Sequence, residues 1–142
     1  MVMDQMKCDA VDPLIDDYEK KLIHFKKSMF PAVHFFSVPM EEFVPDKKYD
    51  MVFCMNAINH VSDLHLSFRQ LGNYTKQNGW LVITIDAHNH SFFKHLFRLV
   101  PGDILHPHQF DLTEYKKLIE YEGFVISKTI TIKKEFFLND IF

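Results

Sequence analysis

The strongest constraint on the fold is a pair of short apolar runs that flank one amphipathic stretch. The runs are Met51–Met55 and, directly after Gly79-Trp80, Leu81–Ile85. A short run that is apolar at all or nearly all positions predicts a strand buried on both faces, as in a parallel sheet. Residues 62–77 predict a helix between them, because apolar side chains recur on one face: Leu64, Phe68 and Leu71. The order strand, helix, strand predicts a right-handed crossover and an α/β fold.

The residues upstream repeat the pattern of strand and helix. Lys7–Val11 and Val33–Ser37 predict two further strands. Between them, Asp12-Pro13 places an N-cap acceptor before a proline at the first helical position, which predicts a helix from Pro13 to about Lys27. The buried stripe of that helix is predicted from residues at helical spacing: Leu14, Tyr18 and Leu22, flanked by Ile15 and Phe25.

The C-terminal third predicts two more helices and two more strands. The stretch AHNHSFFKHLFRLV after Asp86 predicts a helix, and the VPGDILHPHQF segment that follows predicts a loop. Asp111 and Glu114 form a capping-box pattern that opens another helix, which Gly123 closes in the C′ position. The alternating Phe124–Ile132 predicts a strand, and KKEFFLNDIF predicts a last edge strand or a tail.

Composition and charge limit the class of protein. With 47% hydrophobic residues among 142, one compact domain over residues 1–142 is expected. Sixteen Lys plus Arg against nineteen Asp plus Glu leave a net charge of −3 without a basic run, which argues against nucleic-acid binding. No apolar stretch reaches the roughly 18 residues that span a bilayer. Cys8 and Cys54 lie in apolar strand-like runs and are expected to stay reduced, so a cytoplasmic location is expected.

The segment FSVPMEEFVPDKKYDMVFCMNAINHVSDLHLSFRQL, followed by NGWLVITID, resembles the class I S-adenosylmethionine-dependent methyltransferases. The resemblance covers about residues 8–132 and is most specific in KYDMVFCMNAINHV and NGWLVITI. It implies a Rossmann-like, mostly parallel sheet with helices on both faces. The family normally opens with a strand and a glycine-rich loop, because glycines let the backbone approach the cofactor. The four glycines of this chain lie elsewhere, so we expect it to be truncated at its N-terminus: Gly72, Gly79, Gly102 and Gly123.

In the family's sheet the absent first strand lies at the centre, beside the strands that here end at Asp12 and Asn56. Two apolar strand edges then lack a partner, and such edges invite pairing. We therefore expect these strands either to pair directly with each other or to complete the sheet in a homodimer. The ends of the runs at Asp12, Asn56 and Asp86 are expected to share one crevice, where parallel sheets bind ligands.

The resemblance implies cofactor contacts after the first two strands. Asp12 occupies the position whose carboxylate accepts hydrogen bonds from the two ribose hydroxyls, and a carboxylate offers two oxygens to two donors. The alternative is that Asp12 merely caps the helix that follows. After the second strand, Pro39 stands where the family has an acid that contacts adenine. Met40 still offers a backbone amide and a soft side chain, and Glu41 follows it.

The resemblance also places Asn56 and His60, within CMNAINHVSD, on the loop that faces the methionine end of the cofactor and the methyl acceptor. His60 titrates in the range suited to removing a proton from an attacking oxygen or nitrogen, so it is the predicted catalytic residue. The alternative is that His60 caps or packs against the helix that begins near Ser62.

Nine histidines are a second distinctive feature, and five of them follow the Leu81–Ile85 run: His88, His90, His95, His106 and His108. The HPHQF segment resembles the part that closes over the acceptor pocket in many of these methyltransferases. His88, His106 and His108 are therefore predicted to line a substrate pocket. Imidazoles also bind zinc or iron, and Asp86 or Asp103 would complete a ligand set. Neither His-x-His pair lies in a recognised zinc signature, so no metal site is predicted.

The predicted function is S-adenosylmethionine-dependent methyl transfer to a small molecule, by this chain or by an enzyme of which it is a fragment. Catalysis would come mostly from positioning and from removing a proton. Without the glycine loop, binding of the cofactor is expected to be weakened or lost. One alternative is a non-catalytic methyltransferase-like domain used for self-association or partner binding. A second alternative is a histidine-rich metalloprotein.

Overall fold

The computed structural model describes residues 7–88, 110–134 and 138–141. The chain divides into two compact units, unit 1 over Met1–Val44 and unit 2 over Pro45–Phe142. The predicted helix after Asp86 and the predicted loop after it lie almost entirely outside the described residues.

Unit 1 contains a two-stranded parallel sheet made of β1 (Cys8–Val11) and β2 (Val33–Phe36). The register pairs Cys8 with Val33 and Val11 with Phe36, so the carboxyl ends of the two strands meet at one edge. Both strands agree with the sequence prediction to within one residue at each end.

The helix between β1 and β2 is shorter than the sequence predicts. α1 spans Ile15–Lys21, and the backbone becomes extended at Leu22. The predicted stripe is also wrong, because Leu14 and Leu22 are exposed and Ile15 is the buried residue of the helix. The physical reason is a turn before the helix. It moves the first helical position from Pro13 to Ile15, so Leu14 and Leu22 lie at the caps of the helix and not within it.

Aromatic rings supply much of the apolar contact within unit 1. Phe25, Phe30 and Phe35 form a cluster. The ring centroid of Phe25 lies 6.0 Å from that of Phe30 and 5.8 Å from that of Phe35, and the centroids of Phe30 and Phe35 are 6.3 Å apart. A 3₁₀ turn at Lys27–Met29 joins the first two of these rings in the chain. The segment after Lys21, where the sequence predicts the last turns of a helix, therefore contributes to this aromatic cluster instead.

Unit 2 contains a four-stranded sheet in the order β3-β4-β6-β5. The strand bounds are Tyr49–Met55 for β3, Thr75–His88 for β4, Thr131–Lys134 for β5 and Leu138–Ile141 for β6. β3 and β4 are parallel, as predicted, and β6 runs antiparallel to both of its neighbours. The strand predicted over Phe124–Ile132 is wrong for most of its length, because pairing begins at Thr131. β6 is not an edge strand, because it pairs on both sides.

The core of unit 2 lies where α2 (Leu64–Tyr74) meets the sheet and α3 (Leu112–Tyr121). α2 joins β3 to β4 and contacts both strands. Its predicted stripe is confirmed as buried: Leu64, Phe68 and Leu71. The ring of Phe68 also contacts the buried ring of Tyr115 in α3, with centroids 6.4 Å apart.

β3 is buried on one face only, within the part of the chain that the structure describes. Cys54 is buried, whereas Met51, Phe53 and Met55 are exposed. Successive side chains of a strand point to opposite faces. The three exposed residues therefore lie on the face opposite Cys54, and the prediction of burial on both faces is wrong. An apolar run alone does not reveal whether a second helix covers the sheet.

A register shift between β3 and β4 explains the Asn78-Gly79 sequence. The pairs Tyr49–Thr75 and Met51–Trp80 are separated by two steps on β3 and five steps on β4. Asn78 takes a positive φ of 65° in this bulge. A Cβ atom at Gly79 would lie 2.9 Å from the Thr75 side chain and 3.0 Å from two backbone oxygens. Glycine is therefore required at this position by close approach of the backbone.

The predicted ends of α3 are confirmed. The amide of Glu114 donates to Asp111 Oδ1 at 3.0 Å, and the amide of Asp111 donates to Glu114 Oε2 at 2.9 Å. This reciprocal pair is a capping box. Gly123 follows the helix with a φ of 86°, the left-handed conformation that a C′ glycine adopts.

β1 and β3 belong to different sheets in the described residues, because β1 pairs with β2 and β3 pairs with β4. The prediction that these two strands pair directly is therefore wrong. None of the helices in the described ranges is both long enough and apolar enough to cross a membrane.

Candidate functional site

Asp12 lies at the carboxyl end of β1. Its amide donates to the carbonyl of Phe36 at 3.2 Å, which holds the end of β1 beside the end of β2. Its Oδ1 accepts a hydrogen bond from the amide of Leu14 at 2.7 Å and so closes the turn before α1. The N-cap of α1 is Leu14, so Asp12 is not the helix cap that the sequence allowed as an alternative. One carboxylate oxygen is oriented by the turn, and the described residues provide no partner for Oδ2.

Ser37 ties the end of β2 to the same turn. Its hydroxyl donates to the carbonyl of Pro13 at 3.2 Å and accepts from the amide of Asp16 at 3.4 Å. Sequence reasoning missed this residue. The feature of the sequence that could have indicated Ser37 is a single hydroxyl directly after the β2 strand.

Met40 and Glu41 lie in a turn after β2. The amide of Glu42 donates to the carbonyl of Pro39 at 3.1 Å and closes that turn. Met40 and Glu41 are both half-buried, and each contacts other residues. Because β1 and β2 are parallel neighbours, the turn follows the same sheet edge at which Asp12 lies. Unit 1 therefore brings together the ends of the two strands that the resemblance assigned to the nucleoside.

Asn56 lies at the carboxyl end of β3 and takes a left-handed conformation with a φ of 48°. Asn tolerates this conformation better than most residues. Its amide donates to Thr84 Oγ1 of β4 at 2.7 Å. Thr84 pairs with Met55 in the register, so its hydroxyl lies beside the residue that precedes Asn56 and can accept the Asn56 amide. Sequence reasoning predicted Asn56 and missed Thr84, a lone hydroxyl within an apolar strand.

The loop after Asn56 forms a 3₁₀ turn at Ile58–His60. Ile58 and Asn59 are buried, whereas His60 is exposed. Asp63 caps α2, because its carboxylate accepts from the amide of Leu66 at 2.9 Å. Asp63 therefore occupies the capping position that the alternative gave to His60, and packing of His60 against α2 stays a prediction. The turn anchors its apolar residues in unit 2 and presents an imidazole at the surface.

Cys54 lies beside this loop and is chemically inert. Burial raises the pKa of its thiol to about 12, and hydrogen bonds from the backbone of Ile58 and Ala57 lower it by less. The thiolate is the nucleophilic form of cysteine. A buried thiol with so high a pKa does not supply one near neutral pH.

The predicted pocket histidines lie mostly outside the described residues. His88 ends β4, and nothing is described of its side chain. His106 and His108 lie outside the described ranges, as do His90 and His95. Within residues 7–88, 110–134 and 138–141, no group of three or more His, Cys, Asp or Glu side chains could hold a metal ion.

The family of the chain is clear from its sequence. The family model described as methyltransferase domain matches residues 3–129. Because the match covers most of the 142 residues, the chain belongs to the methyltransferase domain family. The resemblance to class I S-adenosylmethionine-dependent methyltransferases is thereby confirmed.

Similar proteins are distant in sequence. The ubiquinone biosynthesis O-methyltransferase of Rickettsia prowazekii (strain Madrid E) is 26% identical over 96 residues, which are 68% of this chain and 37% of that protein. The YcgJ protein from Bacillus subtilis has a TM-score of 0.64 at 20% identity, covering 89% of this chain and 55% of that chain. Phosphoethanolamine N-methyltransferase 2 of Haemonchus contortus has a solved structure in complex with phosphomonomethylethanolamine and S-adenosylhomocysteine. It has a TM-score of 0.64 at 16% identity, covering 89% of this chain and 30% of that chain.

The chain spans about half the length of YcgJ and a smaller share of the other two proteins. At these identities the solved structures show the fold. They confirm the predicted α/β, Rossmann-like class.

Proposed function

We propose that this chain takes part in S-adenosylmethionine-dependent methyl transfer to a small molecule. The observation that carries the proposal is the position of two polar residues, Asp12 directly after β1 and Asn56 directly after β3. Ligands of parallel α/β sheets bind beyond the carboxyl ends of the strands. A small-molecule acceptor is supported by the Haemonchus enzyme, whose structure contains phosphomonomethylethanolamine.

Unit 1 is proposed to hold the nucleoside of the cofactor. Asp12 Oδ1 is fixed by the amide of Leu14, so the carboxylate is oriented before any ligand arrives. Oδ2 then accepts a ribose hydroxyl, because a carboxylate oxygen is a strong acceptor. The amide and side chain of Met40 are proposed to contact adenine, with Glu41 beside it. The residues fit the nucleoside in these respects, while Pro39 offers no acid for the adenine amine.

Unit 2 is proposed to act at the reacting end. S-adenosylmethionine supplies an electrophilic methyl group when it is bound. Asn56 would contact its methionine part, held in place by Thr84. The exposed imidazole of His60 would accept the proton that the acceptor's oxygen or nitrogen loses. His88, His106 and His108 are proposed to line the acceptor pocket.

Three further proposals concern the whole chain. We propose that residues 1–142 form one methyltransferase-like domain and that the protein acts as a homodimer. The dimer is supported by β3, whose outer edge has no partner strand in the described part of the chain. We also propose a cytoplasmic location, which the free thiols of Cys8 and Cys54 support.

Isothermal titration calorimetry with S-adenosylmethionine tests the proposed function. The intact chain is expected to bind saturably at micromolar concentration. Asp12→Asn keeps an acceptor for the Leu14 amide but replaces the other oxygen with a donor. We expect it to weaken binding about tenfold, equivalent to ~1.4 kcal/mol. Asp46→Asn is the matched control, because Asp46 is an exposed acid on the loop before β3.

Two outcomes separate the roles. His60→Gln should leave the affinity for the cofactor unchanged, because His60 is assigned to the acceptor's proton. A chain that is folded by circular dichroism yet releases no heat with S-adenosylmethionine would overturn the proposal. That result would favour a non-catalytic domain used for self-association. Stoichiometric zinc or iron by elemental analysis would instead favour the histidine-rich metalloprotein.

A further inference from the structure

The sheet of unit 2 ends in two very different strands. β3 and β5 are its end strands, and in the described residues each pairs on one side only. An unpaired strand edge presents a row of N–H and C=O groups to any strand that can pair with it. β5 carries Lys133 and Lys134, and lysine is a common protection of edges. The Met51–Met55 part of β3 carries no charge and no proline.

Apolar side chains accompany the unprotected edge. Met51, Phe53 and Met55 are 45%, 60% and 52% exposed, and Trp80, which pairs with Met51 in the register, is 58% exposed. We call the outer edge of β3 together with these four side chains the β3 edge surface. At ~200 Å² for each large side chain, its exposed apolar area is roughly 400 Å². That is about half of the ~800 Å² that each partner buries in a standard interface. A partner must therefore also pair with the strand backbone.

The order of residues in β3 favours a second copy of the chain as that partner. Met51-Val52-Phe53-Cys54-Met55 reads as Met-x-Phe-x-Met in both directions. A two-fold axis through Phe53 places this residue opposite itself and Met51 opposite Met55 in an antiparallel pair. Aromatic pairs across neighbouring strands stabilise such pairing. A strand whose exposed face is symmetric about its centre meets the requirement of an isologous interface.

We propose that two copies of the chain pair through the β3 edge surface, antiparallel about a two-fold axis at Phe53. The proposal rests on the homodimer proposed above and names its surface. Because a two-fold pairing uses the same edge of both copies, pairing ends at two copies rather than continuing into a filament.

Disulfide cross-linking tests the register. Phe53→Cys in a Cys8→Ser background should form an intermolecular disulfide on mild oxidation. Opposite Cα atoms in an antiparallel pair are about 4.5–5.5 Å apart, within the usual range for a disulfide. Met51→Cys alone should not cross-link, because two copies of residue 51 would be roughly 13 Å apart along the strands. A mixture of Met51→Cys and Met55→Cys chains should cross-link. Val125→Cys, at a position that is 90% exposed, is the control for random collision.

The oligomeric state tests the surface. Light scattering should give the unaltered chain twice the mass of one copy, and Phe53→Lys should reduce it to one copy. Ile132→Lys, on the opposite edge strand, should leave the dimer intact.

Each contrary result has a distinct meaning. A monomer at every concentration would overturn both the homodimer and its surface, and would fit a strand of another polypeptide as the partner. A dimer that survives Phe53→Lys would overturn the surface alone. Cross-linking of Phe53→Cys no faster than that of Val125→Cys would overturn the register.

Discussion

Units 1 and 2 each contain a pair of parallel strands joined by a helix, but they bury very different shares of their apolar side chains. In the described part of unit 1 the buried hydrophobic residues are Ile15 and Phe43. Unit 2 buries a larger set within its described residues: Cys54, Ile58, Val61, Leu64, Phe68, Leu71, Tyr74, Ile85 and Tyr115. Two strands alone make a marginal sheet, whereas a larger sheet with packed helices can support itself. The stability of the chain therefore resides mainly in unit 2.

This difference bears on function. The end of β3 that carries Asn56 belongs to the unit with the larger core, whereas the end of β1 that carries Asp12 belongs to the unit with the smaller one. Ligand that binds the folded form stabilises it by mass action. We therefore expect the proposed nucleoside contacts of unit 1 to gain more order from the ligand than the proposed contacts of unit 2.

The largest expected effect compares one phenylalanine from each unit. Phe68→Ala in unit 2 should reduce the free energy of unfolding by about 3–5 kcal/mol, because it leaves a cavity in a closed core. Phe36→Ala in unit 1 should cost much less, since Phe36 is 37% exposed and Phe68 is 1% exposed. Urea denaturation of both variants measures the difference. Equal losses would show that the two units are equally well packed.

The next effect concerns the register of β3 and β4 in unit 2. Gly79→Ala should cost about 1–3 kcal/mol, because the added Cβ meets backbone oxygens that cannot move aside. Gly72→Ala is the control, since the nearest atom to its added Cβ lies at 3.7 Å. In the α2 helix this change should be neutral or stabilise by up to ~1 kcal/mol. If thermal unfolding ranked the two variants in the opposite order, the claim that the bulge requires glycine at position 79 would be wrong.

A smaller effect compares the hydroxyls that hold the two strand ends. Thr84→Val removes the acceptor of the Asn56 amide and should cost about 1 kcal/mol. Ser37→Ala should cost less, because the hydrogen bonds of Ser37 are longer, at 3.2 and 3.4 Å, than the 2.7 Å bond of Thr84. Hydrogen exchange of the Asn56 and Asp16 amides measures both. Thr84→Ser should restore protection at Asn56, and failure to do so would count against the hydroxyl.

The smallest effect is the dependence of stability on alkaline pH, which concerns the two cysteines. Burial raises the pKa of Cys54 to about 12 from a reference of 9.0. Burial also raises the pKa of Cys8, helped by the neighbouring Asp9, although Cys8 lies at the surface. A thiol whose folded pKa is raised contributes stability that is complete below the unfolded pKa and is lost as pH rises towards the folded pKa.

The stability of the unaltered chain should therefore fall more steeply between about pH 9 and pH 12 than that of Cys54→Ala. Cys8→Ala is the control and should change the slope less. Thiol labelling with Ellman's reagent should modify Cys8 first, and Cys54 only as unit 2 opens. Equal labelling rates would contradict the burial of Cys54.

Much of the fold could be predicted from side-chain periodicity and capping. The apolar runs gave β3 and β4, the stripe of Leu64, Phe68 and Leu71 gave α2, and the Asp111–Glu114 pair gave the start of α3. The end of α1 could not be predicted, because apolar residues continue at helical spacing past Lys21. There the chain instead turns into the aromatic cluster of unit 1, a tertiary contact that overrides helix propensity.

The polar residues of the candidate site could be predicted from the sequence, but the hydroxyls that hydrogen-bond to their loops could not. Asp12 and Asn56 could be placed because each is polar and directly follows an apolar strand. Thr84 and Ser37 were missed because a lone hydroxyl near a strand end fits a strand as well as a hydrogen-bonded support. The exposed face of β3 was also missed, since burial depends on whether helices cover both faces of the sheet.

The most direct test is a titration of ¹⁵N-labelled chain with S-adenosylmethionine, followed by the amide signals of Asp12, Met40 and Asn56. We predict that all three signals move along one saturation curve, and that the amide signal of Asp46 does not move. Signals that stay unchanged in a well-dispersed spectrum, up to millimolar cofactor, would contradict the assignment of these strand ends to a methyl-donor site.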